Sequence, residues 1–369
     1  MPQDTDIIEY LTIAVERGAS DLHLCVGSQV MIRLHGDLVP ITEEVLDADT
    51  VRELIFSIFT ENQRARFEES WELDFALTIK GLGRFRSNAH YSRGAVEATF
   101  RHIPDSIPSL DSLGLPPILH QLCTLEQGLV LVTGITGSGK TTTLAAMVDE
   151  INSQRSGVII SIEDPIEYLI PHKLCRVKQR EIGSDTKSFP EALRHVLRQD
   201  PDVILISEMR DLETISAAIT AAETGHLVLA TLHTIDAPKA IDRVVDAFPA
   251  DQQAQIIAQL ANALQAIIAQ RLLPRADGKG RIVCTEVMVM NDGIRALIRD
   301  RKFQQILSMI EIGSRDGMIT FDEAVSNLYA TGQITYEEAV LNARDPERIT
   351  SQPPPVPTEP PRKKGFFGM

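Results

Sequence analysis

At 369 residues the chain is too long for one ordinary core and suits two domains, and its 43% hydrophobic and 24% charged residues are those of a globular protein. A formal net charge of −15 disfavours a general nucleic-acid binder, since the one short basic run, Arg362-Lys363-Lys364, makes no stripe to hold phosphates. Asp4, Asp6 and Glu9 interrupt the place of a signal peptide, no apolar run reaches the about 18 residues that span a bilayer, and the four scattered cysteines form no CxxC pair, so a cytoplasmic chain with reduced thiols is expected.

The first hundred residues read as a small α/β domain. Ile7, Ile8, Leu11 and Val15 make a helical stripe that stops at Gly18, and Leu22, Leu24 and Val26 then alternate with polar neighbours as in a strand. A helical stretch is expected from about Asp47 to Glu69. Strands follow at Asp74–Ile79, Arg84–Tyr91 and Ala95–Ile103, separated by Lys80-Gly81 and Arg93-Gly94 turns. Residues 104–117 hold four prolines and read as a linker.

From Gly128 the texture changes. Short apolar strands at Leu129–Thr133, Val158–Ile162, Val203–Ser207 and Leu227–Thr231 alternate with helical segments, the pattern of a parallel sheet with crossover helices. The helix Phe189–Arg198 opens with Ser188 followed three residues on by Glu191, and the helix Asp211–Thr224 is closed by Gly225. A last strand at Arg281–Met290 precedes helical sequence to about Ala343. The stretch from Pro346 to Met369 holds seven prolines without periodicity and reads as a disordered tail.

Gly134-Ile-Thr-Gly-Ser-Gly-Lys-Thr141 fits GxxxxGK[ST], between an apolar strand and a helix expected over Thr142–Ile151. Glycines let backbone N–H groups approach phosphate oxygens, and the helix N-terminus adds a favourable dipole. Gly134, Thr136, Gly137, Ser138, Gly139, Lys140, Thr141 and Thr142 are therefore the nucleotide-binding candidates. Lys140 supplies charge for the β- and γ-phosphates, and Thr141 offers a hydroxyl to Mg²⁺. Hydrolysis also needs a metal-holding acid and a group that orients water, which in open α/β sheets stand at the carboxyl ends of strands. Glu208 and Glu163 follow two such ends. Glu208 is expected at Mg²⁺, directly or through water, and Glu163 at the attacking water; each has the alternative of a helix cap or a surface acid. His233, just past the fourth strand, is a candidate γ-phosphate sensor, while His226 stands at that strand's other end.

Together these elements resemble the secretion-ATPase superfamily of type II secretion and type IV pilus motors. The marks are the phosphate loop, the "Asp box" Ile162-Glu-Asp-Pro-Ile-Glu167, the Walker B segment Asp200–Asp211 and the "His box" Thr224–Thr234. Gly18–Leu24 resembles the opening of the motors' N-terminal PAS-like domain, and Gly293–Asp300 resembles the C-terminal AIRNLIRE signature of the pilus-retraction branch. The resemblance implies an α/β fold: a PAS-like α+β domain over 1–103, a linker over 104–118, a RecA-like P-loop ATPase core over 119–290, a helical region over 291–345 and the tail over 346–369. It implies a homohexameric ATPase that uses ATP and Mg²⁺ to drive pilus retraction, clamps nucleotide between its two domains and turns an inner-membrane platform protein from the cytoplasmic side. It also adds His226 to the nucleotide contacts and maps arginine fingers onto Arg84 and Arg86, with Arg101 as a further candidate. Residues i and i+2 of a strand face one side, so Arg84 and Arg86 can address one anion, or can simply face solvent. Departures from the family are Ile135 for proline, Thr141 for serine, Ser207 for glycine, and Gly293 and Ala296 for the signature's Ala and Asn. Pilus assembly or secretion, and an accessory nucleotide switch beside a sister pilus ATPase, are the competing functions.

Overall fold

The computed structural model describes residues 6–34, 36–103 and 106–349. It divides into two compact units, one of residues 1–107 with Glu163–Ile170, the other of residues 108–162 with 171–369. The proposed tail lies outside the described residues from position 350 on, as do Pro104 and Asp105 of the linker. Among the described residues no helix is long and apolar enough to cross a membrane.

The first unit runs α1 (Ile7–Glu16), β1 (Asp21–Leu24), β2 (Met31–Leu34), β3 (Asp37–Pro40), α2 (Ala48–Ser57), α3 (Glu61–Ser70), β4 (Glu72–Ile79), β5 (Gly83–Ser92) and β6 (Ala95–Ile103). Its sheet is antiparallel in the order β3-β2-β1-β6-β5-β4. Leu22, Leu24, Phe75, Phe85 and Phe100 turn inward at alternate positions and form one core with the buried face of α1 and with Val51 and Ile55 of α2. The helical stretch expected from about Asp47 to Glu69 is made of two helices. Thr60 accepts a hydrogen bond from the Gln63 N–H while its own N–H donates to the Gln63 side chain, a capping box that restarts the chain as α3. Phe56, Phe59 and Phe67 pack across this corner with ring centroids 5.6–5.9 Å apart, which gives the break a buried purpose.

The second unit begins with α4 (Ile118–Cys123), then β7 (Gly128–Thr133), α5 (Lys140–Gln154), β8 (Gly157–Glu163), β9 (Cys175–Glu181), α6 (Phe189–Val196), β10 (Val203–Ile206), α7 (Leu212–Glu223) and β11 (Leu227–Leu232). It continues with α8 (Ala237–Asp246), α9 (Ala250–Ala263), β12 (Leu264–Pro274), β13 (Arg281–Val289), α10 (Asp292–Arg299), α11 (Ile306–Ile312), α12 (Phe321–Ala330) and α13 (Tyr336–Asn342). The seven strands lie in the order β13-β12-β7-β11-β10-β8-β9. The neighbours from β12 through β8 pair in parallel, and β7, β10 and β11 are buried along their whole length. Helices cover both faces of such a sheet, so its strands read as continuous apolar runs rather than as alternations. Among these helices, α6 starts with Ser188 accepting from the Glu191 N–H.

After β13 the chain forms short helices. In α10, the segment with the retraction-branch signature, Arg295 donates to the carbonyls of Ala261 and Asn262 at the end of α9, and Arg299 donates to the Asn262 side chain at 3.0 Å. Two cations thus close the carbonyl end of the preceding helix. A Cβ at Gly293, where the family has alanine, would lie 2.7 Å from the Met309 Cε, the flexible end of that side chain. The start of the proline-rich stretch is ordered as a 3-10 turn at Pro346–Arg348, followed by buried Ile349.

Candidate nucleotide site

β7 feeds the phosphate loop and α5 receives it. Gly134 leaves the strand at φ 154°, and a Cβ there would lie 2.4 Å from the Gln270 carbonyl, so only glycine fits. Gly139 occupies the N-cap of α5 at φ 88° and brings no side chain to cap the helix. The first-turn N–H groups of α5 are thus left without a side-chain cap beside a glycine loop, an arrangement suited to an anion. Ile135, Thr136 and Gly137 are exposed at the loop's crest, Ser138 and Lys140 are buried, and Thr141 and Thr142 are half-buried on the first turn. Lys140 Nζ donates to the carbonyls of Gly134 at 2.9 Å and Ile135 at 3.1 Å, holding its charge at the loop. The Ser138 hydroxyl is buried without a hydrogen-bond partner, which leaves a donor inside the loop.

The carboxyl edge of the sheet carries the acids. Ile206 pairs with Ile162 and with Ala230, so β8, β10 and β11 end side by side. Glu163 closes β8 and is 4% exposed. Glu208, two residues beyond β10, has an 18% exposed side chain and accepts from Arg210 Nη2 at 2.6 Å and from His233 Nε2 at 3.1 Å. Burial alone would raise the Glu208 carboxyl, but the hydrogen bond from Arg210 and the nearby His233 outweigh it and hold the group below the usual carboxylate range. A carboxylate kept ionised here is suited to a cation. The alternative role of helix cap falls to Asp211, which accepts from the Thr214 N–H and hydroxyl at 2.8 Å.

Backbone ties hold these loops together. Thr133 exchanges hydrogen bonds with Thr234, Met209 N–H donates to the Thr231 carbonyl at 3.1 Å, and the Thr231 hydroxyl donates to the Ser207 carbonyl. Position 207, where the family has glycine, is therefore gripped through its main chain. His226 does not join this group. Its Nδ1 faces the Ala221 carbonyl at 3.0 Å at the end of α7, and it precedes β11, about 20 Å of strand from His233. Within its unit His226 faces the end of α7.

The three arginines come together in the first unit. Arg86 pairs directly with Arg101 across β5 and β6, and Arg101 with Asp21 across β6 and β1, so these side chains share one face with Arg84. Arg101 Nε donates to buried Asp21 at 2.8 Å. Arg84 Nε donates to the Ile166 carbonyl at 3.0 Å and Arg86 Nη1 to Glu167 at 3.1 Å, both partners lying in the Asp-box segment that clusters with this unit. Arg84 is half-buried, whereas Arg86 keeps an exposed side chain despite its ion pair. Two further residues carry no signal in the sequence. Arg210 lacks any spacing signal, and Gln270 lies on β12, a strand that follows α9 directly with no turn residue to mark its start.

The family model "Type II/IV secretion system protein" matches residues 2–340. The type IV pilus retraction ATPase PilT of Pseudomonas aeruginosa PAO1 is 46% identical over 344 residues, 93% of this chain and 100% of that protein. The type IV pilus ATPase PilU of the same strain is 44% identical and covers 88% of this chain and 85% of its own. A crystal structure of the pilus retraction motor PilT with bound ADP superposes with a TM-score of 0.88 at 45% identity, covering 94% of this chain and 99% of that one. The chain belongs to the type II/IV secretion system protein family and is one of its ATPases.

Proposed function

We propose that the chain is the motor subunit of a type IV pilus retraction machine, hydrolysing ATP on the Gly134–Thr141 loop within a ring-shaped homohexamer. The observation that carries this reading is the end-to-end alignment with a retraction ATPase, which leaves no segment of that relative unmatched. Lys140 and the loop amides hold the phosphates, and Glu163 orients the attacking water. His233, hydrogen-bonded to Glu208, senses the γ-phosphate. The Thr141 hydroxyl and the ionised Glu208 would hold Mg²⁺, directly or through water. When bound there, Mg²⁺ offsets the charge that builds on the transferring phosphoryl group. Arg84, Arg86 and Arg101 serve a neighbouring subunit's nucleotide, for which Arg84 and Arg86 must exchange their bonds to Ile166 and Glu167.

The ring works against an inner-membrane platform protein and lies peripherally on the cytoplasmic side. Counting surface pili and scoring twitching in cells lacking the gene tests the reading. Excess pili with lost motility are expected. Bald cells would make the chain an assembly motor, and unchanged pili would make it an accessory ATPase beside a sister motor.

A further inference from the structure

Gln270 stands on β12 one residue beyond Ala269, which pairs with Thr133, so it flanks the loop where β7 ends. The residue is 1% exposed. Its Nε2 donates to the Ser138 carbonyl at 2.7 Å, and its Oε1 accepts from the Thr143 hydroxyl at 3.0 Å. A backbone carbonyl only accepts, which fixes which end of the amide faces Ser138 and leaves the oxygen for Thr143. The same residue crowds the loop twice more. Its carbonyl sits where a Cβ on Gly134 would be, and its Nε2 would lie 3.2 Å from a Cβ on Gly139.

The consequence lies in the peptide plane. In a trans peptide the Ser138 carbonyl and the Gly139 N–H point in opposite directions. Fixing the carbonyl against β12 therefore aims the Gly139 N–H away from β12, and the bond to Thr143 locks that plane to the first turn of α5. We propose that Gln270 is a positioning residue for nucleotide binding, which presets the Gly139 amide for the β-phosphate. This rests on the reading of Gly134–Thr141 as the nucleotide site. Without the side-chain amide the loop retains its glycines but loses the partner that chooses one orientation of the 138–139 peptide. Donors aimed beforehand act without reorganisation on binding.

The test is calorimetric titration of the full-length chain with Mg-ADP, and ATP turnover at saturation, for the parent, Gln270→Met, Thr143→Val and Lys140→Ala. Gln270→Met keeps length and volume without the amide and should raise the ADP Kd about tenfold, the scale of one buried hydrogen bond lost. Turnover at saturating ATP should stay within about threefold, because ground state and transition state share this amide. Thr143→Val, which removes only the far anchor, should raise Kd about threefold. A packing role alone would lower the number of binding sites per chain and leave Kd unchanged. That result in Gln270→Met, or in Thr143→Val if Gln270→Met does not fold, overturns the proposal while Lys140→Ala still weakens binding. If Lys140→Ala binds ADP like the parent, the site itself is misplaced and the proposal falls with it.

Discussion

The phosphate loop and the arginine face, both proposed to meet anions, are held in opposite ways. The loop presents backbone amides between two fixed elements, and its one charge, Lys140, is buried and bonded to loop carbonyls. The arginine face presents side chains on an antiparallel sheet, partly exposed and partnered by the Asp-box segment. A backbone cradle keeps its geometry through a catalytic cycle, whereas long side chains change partners cheaply. The loop is thus suited to holding nucleotide, and the arginines to acting at one stage of its turnover.

The largest expected effect separates these roles. Replacing both Arg84 and Arg86 by Ala should cut kcat by about 10³-fold or more while ATP affinity stays within about threefold, as when charge is withdrawn only from the transition state. Equilibrium binding and steady-state hydrolysis on the same preparation measure this, and parallel losses in both would erase the distinction. Lys140→Ala should fall next, with a loss of about 10²–10³-fold in turnover accompanied by weakened nucleotide binding.

Stability sharpens the same contrast. In the second unit the fully buried Glu286 is paired with Arg344 at 3.0 Å, and burial raises its carboxyl even with that partner present. Arg344→Ala leaves the carboxylate unpaired and should cost on the order of 3 kcal/mol in chemical denaturation. In the first unit the Arg86–Glu167 pair is half-exposed, and Glu167→Gln should cost under about 1 kcal/mol.

The smallest effect is a pH dependence at His120, which bridges Asp111 and Glu150 of α5 at 3.1 Å each. Those two hydrogen bonds raise its pKa above 6.5. The stabilisation is therefore complete below pH 6.5 and is lost as pH rises through the raised value. Melting temperatures of the parent should fall across that window relative to His120→Gln.

Much of this was written in the sequence at short range. The strand, glycines, Lys140 and Thr141 of the loop are consecutive, and the fully buried strands β7, β10 and β11 read as apolar runs. What escaped depends on distance. Gln270 meets Ser138 across 132 positions and Glu208 meets His233 across neighbouring strands, pairings that register alone decides. The four-residue strands β2 and β3 are too short to show a period, and Thr60 splits a helix through a cap rather than through a proline or glycine.

The most direct test is ATP hydrolysis by the purified chain beside Lys140→Ala and Glu208→Gln. The account predicts sustained turnover by the parent, turnover lower by about 10²–10³-fold for Lys140→Ala, and ATP bound but not turned over by Glu208→Gln. A parent no faster than Lys140→Ala would contradict it and make the chain a nucleotide-binding switch.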